Sequence, residues 1–409
     1  MTAQLQRLAN GLTVAVDPLP GAESVALGLY VKVGSRSEPE ALGGVAHLVE
    51  HMVFKGAGGR DTRALAEAIE DVGGSLNAWT ARDQTAFNGR ALARDLPLVA
   101  ELIADLVRAP HFDEEHLERE KQVILSELGE TTDSPDDLVH DHLLEAAFEG
   151  QPIGRSVLGT ETSIRAASRQ DCFDWLLREF VPSRMILAAS GRVDAEQLVA
   201  IAERLFGDMA SRPEPAVEPA RFTGGLRNDR RSFEQAHWCL AFPGLAAADE
   251  GTPALSLFIQ ALGGGTSSRL FQELREERGL AYSIYAWNQP FADVGLVGIG
   301  CAAERARAPE SIALARDLVA ATAESLTDGE LQRARAQIEA SLLMGLETAQ
   351  GRADHLARSI EVFGRPVETD ELVEQLRSAD VAAVGGAGAA LLDGPIAVAS
   401  VGARLALAA

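Results

Sequence analysis

Residues 43–56 read GGVAHLVEHMVFKG, and this stretch decides most of what the sequence implies about the fold. Its apolar residues recur at the three- and four-residue spacing of an amphipathic helix, which predicts a helix over 45–56. His47 and His51 are four positions apart, so on that helix they project from one face, one turn apart. Two imidazoles at this spacing can bind one tetrahedral zinc ion.

Glu50 lies beside His51 and three residues after His47, so its carboxylate can face the same site without binding the metal. A carboxylate at that position can take a proton from a zinc-bound water, whose acidity the metal raises. The arrangement is the inverted form of the H-E-x-x-H zinc motif. The residues alone leave one alternative open, which is a pair of half-buried histidines on an ordinary amphipathic helix.

Two histidines leave the metal one ligand short, because a catalytic zinc ion usually has three protein ligands. The predicted helix over about 113–130 is a source of carboxylates, with Glu118, Glu120, Glu127 and Glu130. Glu120 and Glu127 are seven positions apart and share one helical face. On spacing alone, however, exposed glutamates on a solvated helix explain this pattern better than a metal site does.

Strand and helix patterns alternate around the opening stretch. Ahead of it, 12–16 and 24–33 are predicted strands joined by a turn at 18–21. After it, the patterns predict a helix at 62–71, two strands within 75–90, helices at 94–108 and 113–130, a helix beginning near 134, a strand at 185–191 and a helix at 194–206.

The second half of the chain repeats this order of elements. The patterns predict a strand at 236–242, helices at 252–262 and 267–278, strands at 280–287 and 294–301, helices at 309–325 and 328–347, and a strand at 396–401. We therefore predict an internal repeat, although low residue identity between the halves leaves two unrelated domains open.

Three prolines and weak periodicity mark residues 209–225 as a linker. The predicted domains are an N-terminal zinc-binding domain over 1–208, a linker over 209–222, and a C-terminal domain over 223–409.

Composition limits the kinds of partner. The net charge of −23 at pH 7 argues against nucleic acid and favours basic ligands if it lines a cavity, although a solvated acidic surface explains it as well. Cys172, Cys239 and Cys301 lack C-x-x-C spacing, so we expect no disulfide framework and no cysteine zinc site. No apolar run reaches membrane-spanning length and no secretion signal is recognisable, so we expect a cytoplasmic rather than periplasmic protein without a membrane partner.

Three stretches of the first half resemble the pitrilysin family of zinc metallopeptidases, in particular its short bacterial members, which are similar to the β subunit of the mitochondrial processing peptidase. These stretches are GGVAHLVEHMVFKG (43–56), GGSLNAWTARDQTAFNGRAL (73–92) and EREKQVILSELGETTDSPDDLVHD (118–141). The family has a glutamate ligand about 76 positions after the second histidine of H-x-x-E-H, and Glu127 stands there. The resemblance implies His47, His51 and Glu127 as ligands, Glu50 as the base, and Glu120 as the acid that hydrogen-bonds a ligand histidine.

The resemblance continues into GGGTSSRLFQELREERGLAYSIYAW (263–287) in the second half. It implies that Arg275 holds a substrate carbonyl and that the Tyr282 hydroxyl donates to the oxyanion of the tetrahedral intermediate. Asn77, Ala78 and Thr80 match the family's N-A-x-T strand, an edge strand to which the substrate adds as one more strand.

The resemblance spans nearly the whole chain and implies an α+β fold. It consists of two similar α/β-sandwich domains of the metallopeptidase/LuxS-like type in a clamshell arrangement. It further implies one Zn2+ per chain, peptide substrates that are unfolded or presequence-like, and a homodimer, with a heterodimer as the alternative. Two other functions stay open, namely a catalytically silent scaffold subunit and a peptidase subunit that needs a different partner chain.

Overall fold

A computed structural model describes residues 3–231 and 233–406 of the chain. They form two compact units that do not follow chain order. The first unit contains the described residues up to Leu128, Ser156–Glu218 and Met344–Glu368. The second contains Gly129–Arg155, Pro219–Leu343 and the described residues from Thr369 onward.

The strands, in chain order, are β1 (Gln4–Arg7), β2 (Thr13–Pro18), β3 (Ser24–Val31), β4 (Gly56–Ala57), β5 (Arg60–Asp61), β6 (Ser75–Thr80), β7 (Thr85–Leu92), β8 (Met185–Gly191), β9 (Gly225–Asp229), β10 (Ala236–Gly244), β11 (Ala281–Pro290), β12 (Gly295–Ala303) and β13 (Ala397–Val401).

The helices are α1 (Val45–Val53), α2 (Thr62–Glu70), α3 (Leu96–Arg108), α4 (Glu114–Asp133), α5 (Pro135–Ala147), α6 (Glu161–Ala166), α7 (Arg169–Glu179), α8 (Ala195–Phe206), α9 (Thr252–Gly263), α10 (Ala308–Ser325), α11 (Asp328–Gly345), α12 (Ala349–Phe363), α13 (Thr369–Ser378) and α14 (Val381–Ala390).

The first unit is built on a six-stranded sheet in the order β1-β2-β8-β3-β7-β6, in which only β2 and β8 are parallel. Its central strand β3 is buried along nearly its whole length. Leu27 and Leu29 point into the main core, which also contains residues of α1, α3, α7 and α8. Ala26 and Tyr30 point to the opposite face, where residues of α12 cover them. Both faces of the strand are therefore covered by helices.

The second unit repeats this sheet. Its order is β11-β12-β10-β13-β9, with only β13 and β9 parallel. Strand by strand, this matches β6-β7-β3-β8-β2 of the first sheet in order and direction. The predicted internal repeat and the mixed α/β class are therefore confirmed, with two open sheets.

Each sheet is covered on one face by a helix from the other half of the chain. Helix α12 packs on β2, β3 and β8, and Leu356 lies in one apolar cluster with Ile186. Helix α5 packs on β9, β10 and β13, and Leu143 lies in one cluster with Cys239 and Ala399. The two helices occupy equivalent places in the repeat, but each packs on the sheet formed by the strands of the other half of the chain. The two halves of the chain have therefore exchanged these helices.

This exchange departs from the continuous ranges 1–208 and 223–409 expected from the sequence. Periodicity identifies the apolar face of a helix but not the sheet that this face covers, so the sequence patterns could not reveal it. The change of unit at Glu218 and Pro219 falls inside the expected linker 209–222. The boundaries of independently folding domains stay a prediction.

The helix expected at 267–278 contains a π-helical segment, Phe271–Glu277, rather than α-helix throughout. The three cysteines are free and buried. Within 3–231 and 233–406, every helix is too short or too polar to cross a bilayer.

Leu356→Ala in α12 and Leu143→Ala in α5 are matched tests of the exchanged helices. Both side chains are buried, and each substitution should destabilise its cluster by about 2–5 kcal/mol. In hydrogen–deuterium exchange, Leu356→Ala should increase exchange in β3 and β8 and leave β10 and β13 unchanged. Leu143→Ala should do the reverse. If both variants increase hydrogen–deuterium exchange in the same sheet, the assignment of α12 to the first sheet and of α5 to the second is wrong.

Candidate metal centre

The helix that contains the H-x-x-E-H motif is fixed at its N-terminus by Glu38. One carboxylate oxygen of Glu38 accepts from the backbone N–H of Gly44 and the other from that of Ala46, both at 2.8 Å. Glu38 is 4% exposed, and its negative charge lies at the positive end of the α1 dipole. Gly44 has φ +88°, and a Cβ there would lie 2.6 Å from the Leu158 carbonyl oxygen, so the position requires glycine.

His47 and His51 project from one face of α1, and their ring centroids are 4.6 Å apart. Glu127 of α4 completes a cluster whose potential ligand atoms all lie within 4.8 Å of one another. Glu127 Oε2 is 3.8 Å from His47 Nε2, and Glu127 Oε1 is 3.7 Å from His51 Nε2. The structure thus brings together the three residues expected to bind the metal.

Glu120, two helical turns before Glu127 on α4, contacts His51. Its Oε2 is 3.1 Å from His51 Nδ1, so the N–H at that nitrogen donates to the carboxylate. The lone pair of His51 is then on Nε2, the nitrogen that faces Glu127. The other oxygen of Glu120 is 2.8 Å from Lys55 Nζ.

Glu50 lies on the same helix with its Oε2 buried, and the described residues provide no hydrogen-bond partner for that atom. Burial raises the pKa of Glu50, and the negative charge of Glu127 adds to this effect, whereas Thr80 and His51 lower it. A raised pKa brings a carboxylate closer to the range in which it can both accept and release a proton near neutrality.

The donor set fits a zinc ion. Burial, reinforced by neighbouring His51, lowers the pKa of His47 to about 4, so this imidazole is neutral at pH 7 and its nitrogens can act as ligands. Two imidazole nitrogens and one carboxylate oxygen are the ligands of many catalytic zinc sites. The nitrogens that face Glu127 are His47 Nε2 and His51 Nε2, at 3.8 and 3.7 Å from its carboxylate oxygens, so an ion between the three side chains would meet one ligand atom of each.

Arg275 and Tyr282 belong to the second unit and contact each other. The Arg275 guanidinium lies 5.6 Å from the centroid of the Tyr282 ring and 4.9 Å from that of Phe271. The register of β11 shifts between Ala281 and Ser283, so Tyr282 is the extra residue of a bulge. Its side chain is 71% exposed, which leaves the hydroxyl free to reach a ligand.

The expected substrate strand is β6, the strand at the end of the first sheet. Asn77 is exposed and Ala78 is buried, as alternation along a strand requires. Trp79 is 39% exposed beside them. Thr80 is near enough to Glu50 to affect its pKa. This edge therefore adjoins the H-x-x-E-H helix, while the substrate-binding role of the strand stays a prediction.

Sequence reasoning missed Glu38 and Lys55. An acidic residue six positions before Gly44 is a weak signal, because the chain between them folds as a loop and the carboxylate reaches back over it. Lys55 could have been noticed because lysine is rare in this chain.

Comparisons with known proteins give the same assignment for both halves. A family described as "Insulinase (Peptidase family M16)" matches residues 13–161, and one described as "Peptidase M16 inactive domain" matches residues 166–338. The first range contains the histidines and Glu127, and the second contains Arg275 and Tyr282.

Relatives align along most of the chain. An uncharacterized zinc protease of Streptomyces coelicolor is 35% identical over 387 residues, which cover 92% of this chain and 84% of the relative. An uncharacterized zinc protease of Rickettsia bellii is 33% identical over 381 residues, which cover 92% of each.

Solved structures share the fold. The crystal structure of a peptidase M16 inactive domain from Pseudomonas fluorescens has a TM-score of 0.91 at 22% identity, covering 100% of this chain and 99% of that one. A protease from Helicobacter pylori has a TM-score of 0.89 at 20% identity, covering 98% and 99%.

Glu120→Ala tests the contact with His51. Removal of the acceptor for His51 Nδ1 should weaken zinc binding by about 10–100-fold, because the imidazole loses its fixed orientation. The measurement is a zinc titration against a competing chelator. Glu118→Ala, at an exposed position of the same helix, should bind zinc like the wild type. Equal affinities for the wild type and Glu120→Ala would contradict this role.

Proposed function

Because the chain belongs to peptidase family M16, the insulinase and pitrilysin-like family, we propose that it is a zinc-dependent endopeptidase that hydrolyses unfolded peptides. The observation that carries the proposal is the convergence of His47, His51 and Glu127, with Glu50 on the same helix face. His47, His51 and Glu127 would hold the ion. When bound, zinc would make a water molecule more acidic and polarise the scissile carbonyl.

Glu50 is the general base of the proposed reaction. Its carboxylate accepts a proton from the attacking water and then passes that proton to the nitrogen of the leaving amine. Both transfers use one oxygen, and the buried Oε2 without a hydrogen-bond partner is suited to this task. Its raised pKa favours the second transfer, because the protonated carboxyl persists long enough to act as an acid.

Arg275 and Tyr282 act on the substrate in this proposal. Tyr282 donates its hydroxyl hydrogen to the oxyanion that develops as the carbonyl is attacked, and Arg275 holds a neighbouring backbone carbonyl. Their mutual contact and the exposure of Tyr282 support a role towards a ligand rather than in packing. We propose that two chains form a closing clamshell, in which Arg275 and Tyr282 of one chain serve the zinc site of the other.

Peptide binding is assigned to the free edge of β6. An extended peptide could add there as a further strand through backbone hydrogen bonds, next to the helix that contains Glu50. Only an unfolded segment can add to a sheet in this way. The net charge of −23 supports basic, presequence-like peptides, and the free cysteines support a reducing, cytoplasmic location.

Glu50→Gln separates metal binding from catalysis. The amide cannot accept the proton, so cleavage of a quenched Arg-rich peptide should fall by about 10²–10⁴-fold, while one zinc ion per chain is retained. Glu130→Gln, at an exposed position of α4, is the matched control and should cleave normally. Normal cleavage by Glu50→Gln would remove Glu50 from the mechanism. If the wild type binds zinc but does not cleave the peptide, the chain is better described as a scaffold subunit. If activity appears only when a different partner chain is added, it is a peptidase subunit that needs that chain.

Tyr282→Phe tests the second half of the site. Loss of the hydroxyl should lower kcat by about 10–10³-fold, because one donor to the oxyanion is removed, and zinc affinity should not change. Tyr285→Phe is a suitable control, since its hydroxyl lies 2.8 Å from His140 Nε2 instead of being free. Unchanged kcat in Tyr282→Phe would exclude the tyrosine from the reaction.

A further inference from the structure

Lys55 reaches the metal centre although it is neither a ligand nor part of the H-x-x-E-H motif. It lies four residues after His51, where the chain turns beyond the C-terminus of α1 and the Lys55 N–H donates to the Met52 carbonyl at 3.1 Å. From there its Nζ comes within 2.8 Å of Glu120 Oε1. A cation at this end of a helix also complements the helix dipole.

Glu120 therefore has two partners, one for each oxygen. Oε1 accepts from Lys55, and Oε2 accepts from His51 Nδ1 at 3.1 Å. The carboxylate is only 10% exposed, so water contributes little to its solvation. Without Lys55, a nearly buried carboxylate would keep a single neutral donor, and rotation of the carboxylate would then compete with its bond to His51.

A lysine at position 55 is unusual for this chain. The sequence contains three lysines against 34 arginines, so a lysine at this position runs against the composition. The guanidinium of arginine is a planar fork that tends to bind both oxygens of a carboxylate, whereas an ammonium group is a compact charge that can hold one. A lysine thus leaves Oε2 available to the imidazole.

We propose that Lys55 is a positioning residue of the metal centre, which holds Glu120 Oε1 so that Glu120 Oε2 keeps the proton of His51 on Nδ1. His51 Nε2 is then directed, with its lone pair, to the position shared with His47 and Glu127. The proposal rests on the zinc-binding function proposed above. It also fits the local charge, because Lys55 and a divalent cation together balance the carboxylates of Glu50, Glu120 and Glu127.

Lys121 shows what an ordinary ion pair looks like in the same region. It follows Glu120 in α4, and its Nζ contacts Glu118, whose side chain is 66% exposed. Lys121 itself is only 7% exposed, and its Nζ also donates to the Arg165 carbonyl at 3.3 Å, but neither of these contacts leads to a ligand histidine. Lys55 differs because its acceptor is nearly buried and bonded in turn to a ligand histidine.

Lys55→Met, with Lys121→Met as the matched control, tests the proposal in the full-length chain. The first readout is the long-range 1H–15N spectrum of metal-free protein labelled at histidine, in which His51 is assigned by the signals lost in His51→Asn. The wild type and Lys121→Met should show His51 with its proton on Nδ1. Lys55→Met should show a mixture of both tautomers. If Lys55→Met does not fold, Lys55→Ala, which also removes both the donor and the charge, carries the same test.

The second readout is zinc affinity measured against a competing chelator. Lys55→Met should weaken zinc binding by about tenfold in the wild-type background. In the Glu120→Ala background it should have little effect, because the contacts that link Lys55 through Glu120 to His51 are already lost. An unchanged His51 spectrum, or equal losses in both backgrounds, would overturn the role of Lys55. A wild type that binds no zinc would instead refute the proposed function, and the metal-free spectrum would still decide the role of Lys55.

Discussion

The carboxylate of Glu38, bonded to two backbone N–H groups at the start of α1, is the constraint on which the site depends. The first turn of a helix has N–H groups without partners, and here the loop before the helix supplies the acceptor. Hydrogen bonds to a charged group contribute about 1.5–3 kcal/mol each, so this contact can fix both the start and the direction of the helix. Because His47, Glu50 and His51 all project from α1, their placement follows from this one cap.

Burial gives the chemically similar groups of the site different tasks. It lowers the pKa of His47 and keeps this imidazole neutral, and it raises the pKa of Glu50. Glu120, although nearly buried, is held by Lys55 and His51 and so is tied to a supporting role. In the proposed reaction, the three carboxylates of this small region therefore serve as base, supporting acid and ligand because their neighbours differ.

The H-x-x-E-H motif was readable from sequence because helical spacing converts directly into geometry. Spacing also put Glu120 and Glu127 on one face of α4, but only the resemblance to the pitrilysin family indicated that this face meets the histidines. The order of strands was readable as a repeat. The exchange of α5 and α12 could not be predicted from the sequence. Small residues do mark the sheet faces that a helix approaches closely, namely Ala26, Ala188, Ala397 and Ala399. Small residues show that a face is covered but do not identify the helix that covers it. The contacts of Glu38 and Lys55 also depend on loop paths that have no periodicity.

Anomalous diffraction at the zinc absorption edge can show whether one zinc ion binds between His47, His51 and Glu127. In crystals of the zinc-loaded chain, we expect one strong peak per chain, about 2.0–2.2 Å from His47 Nε2, His51 Nε2 and a Glu127 carboxylate oxygen. A peak at another set of residues, or no peak near α1 at saturating zinc, would show that these three residues do not form the zinc site.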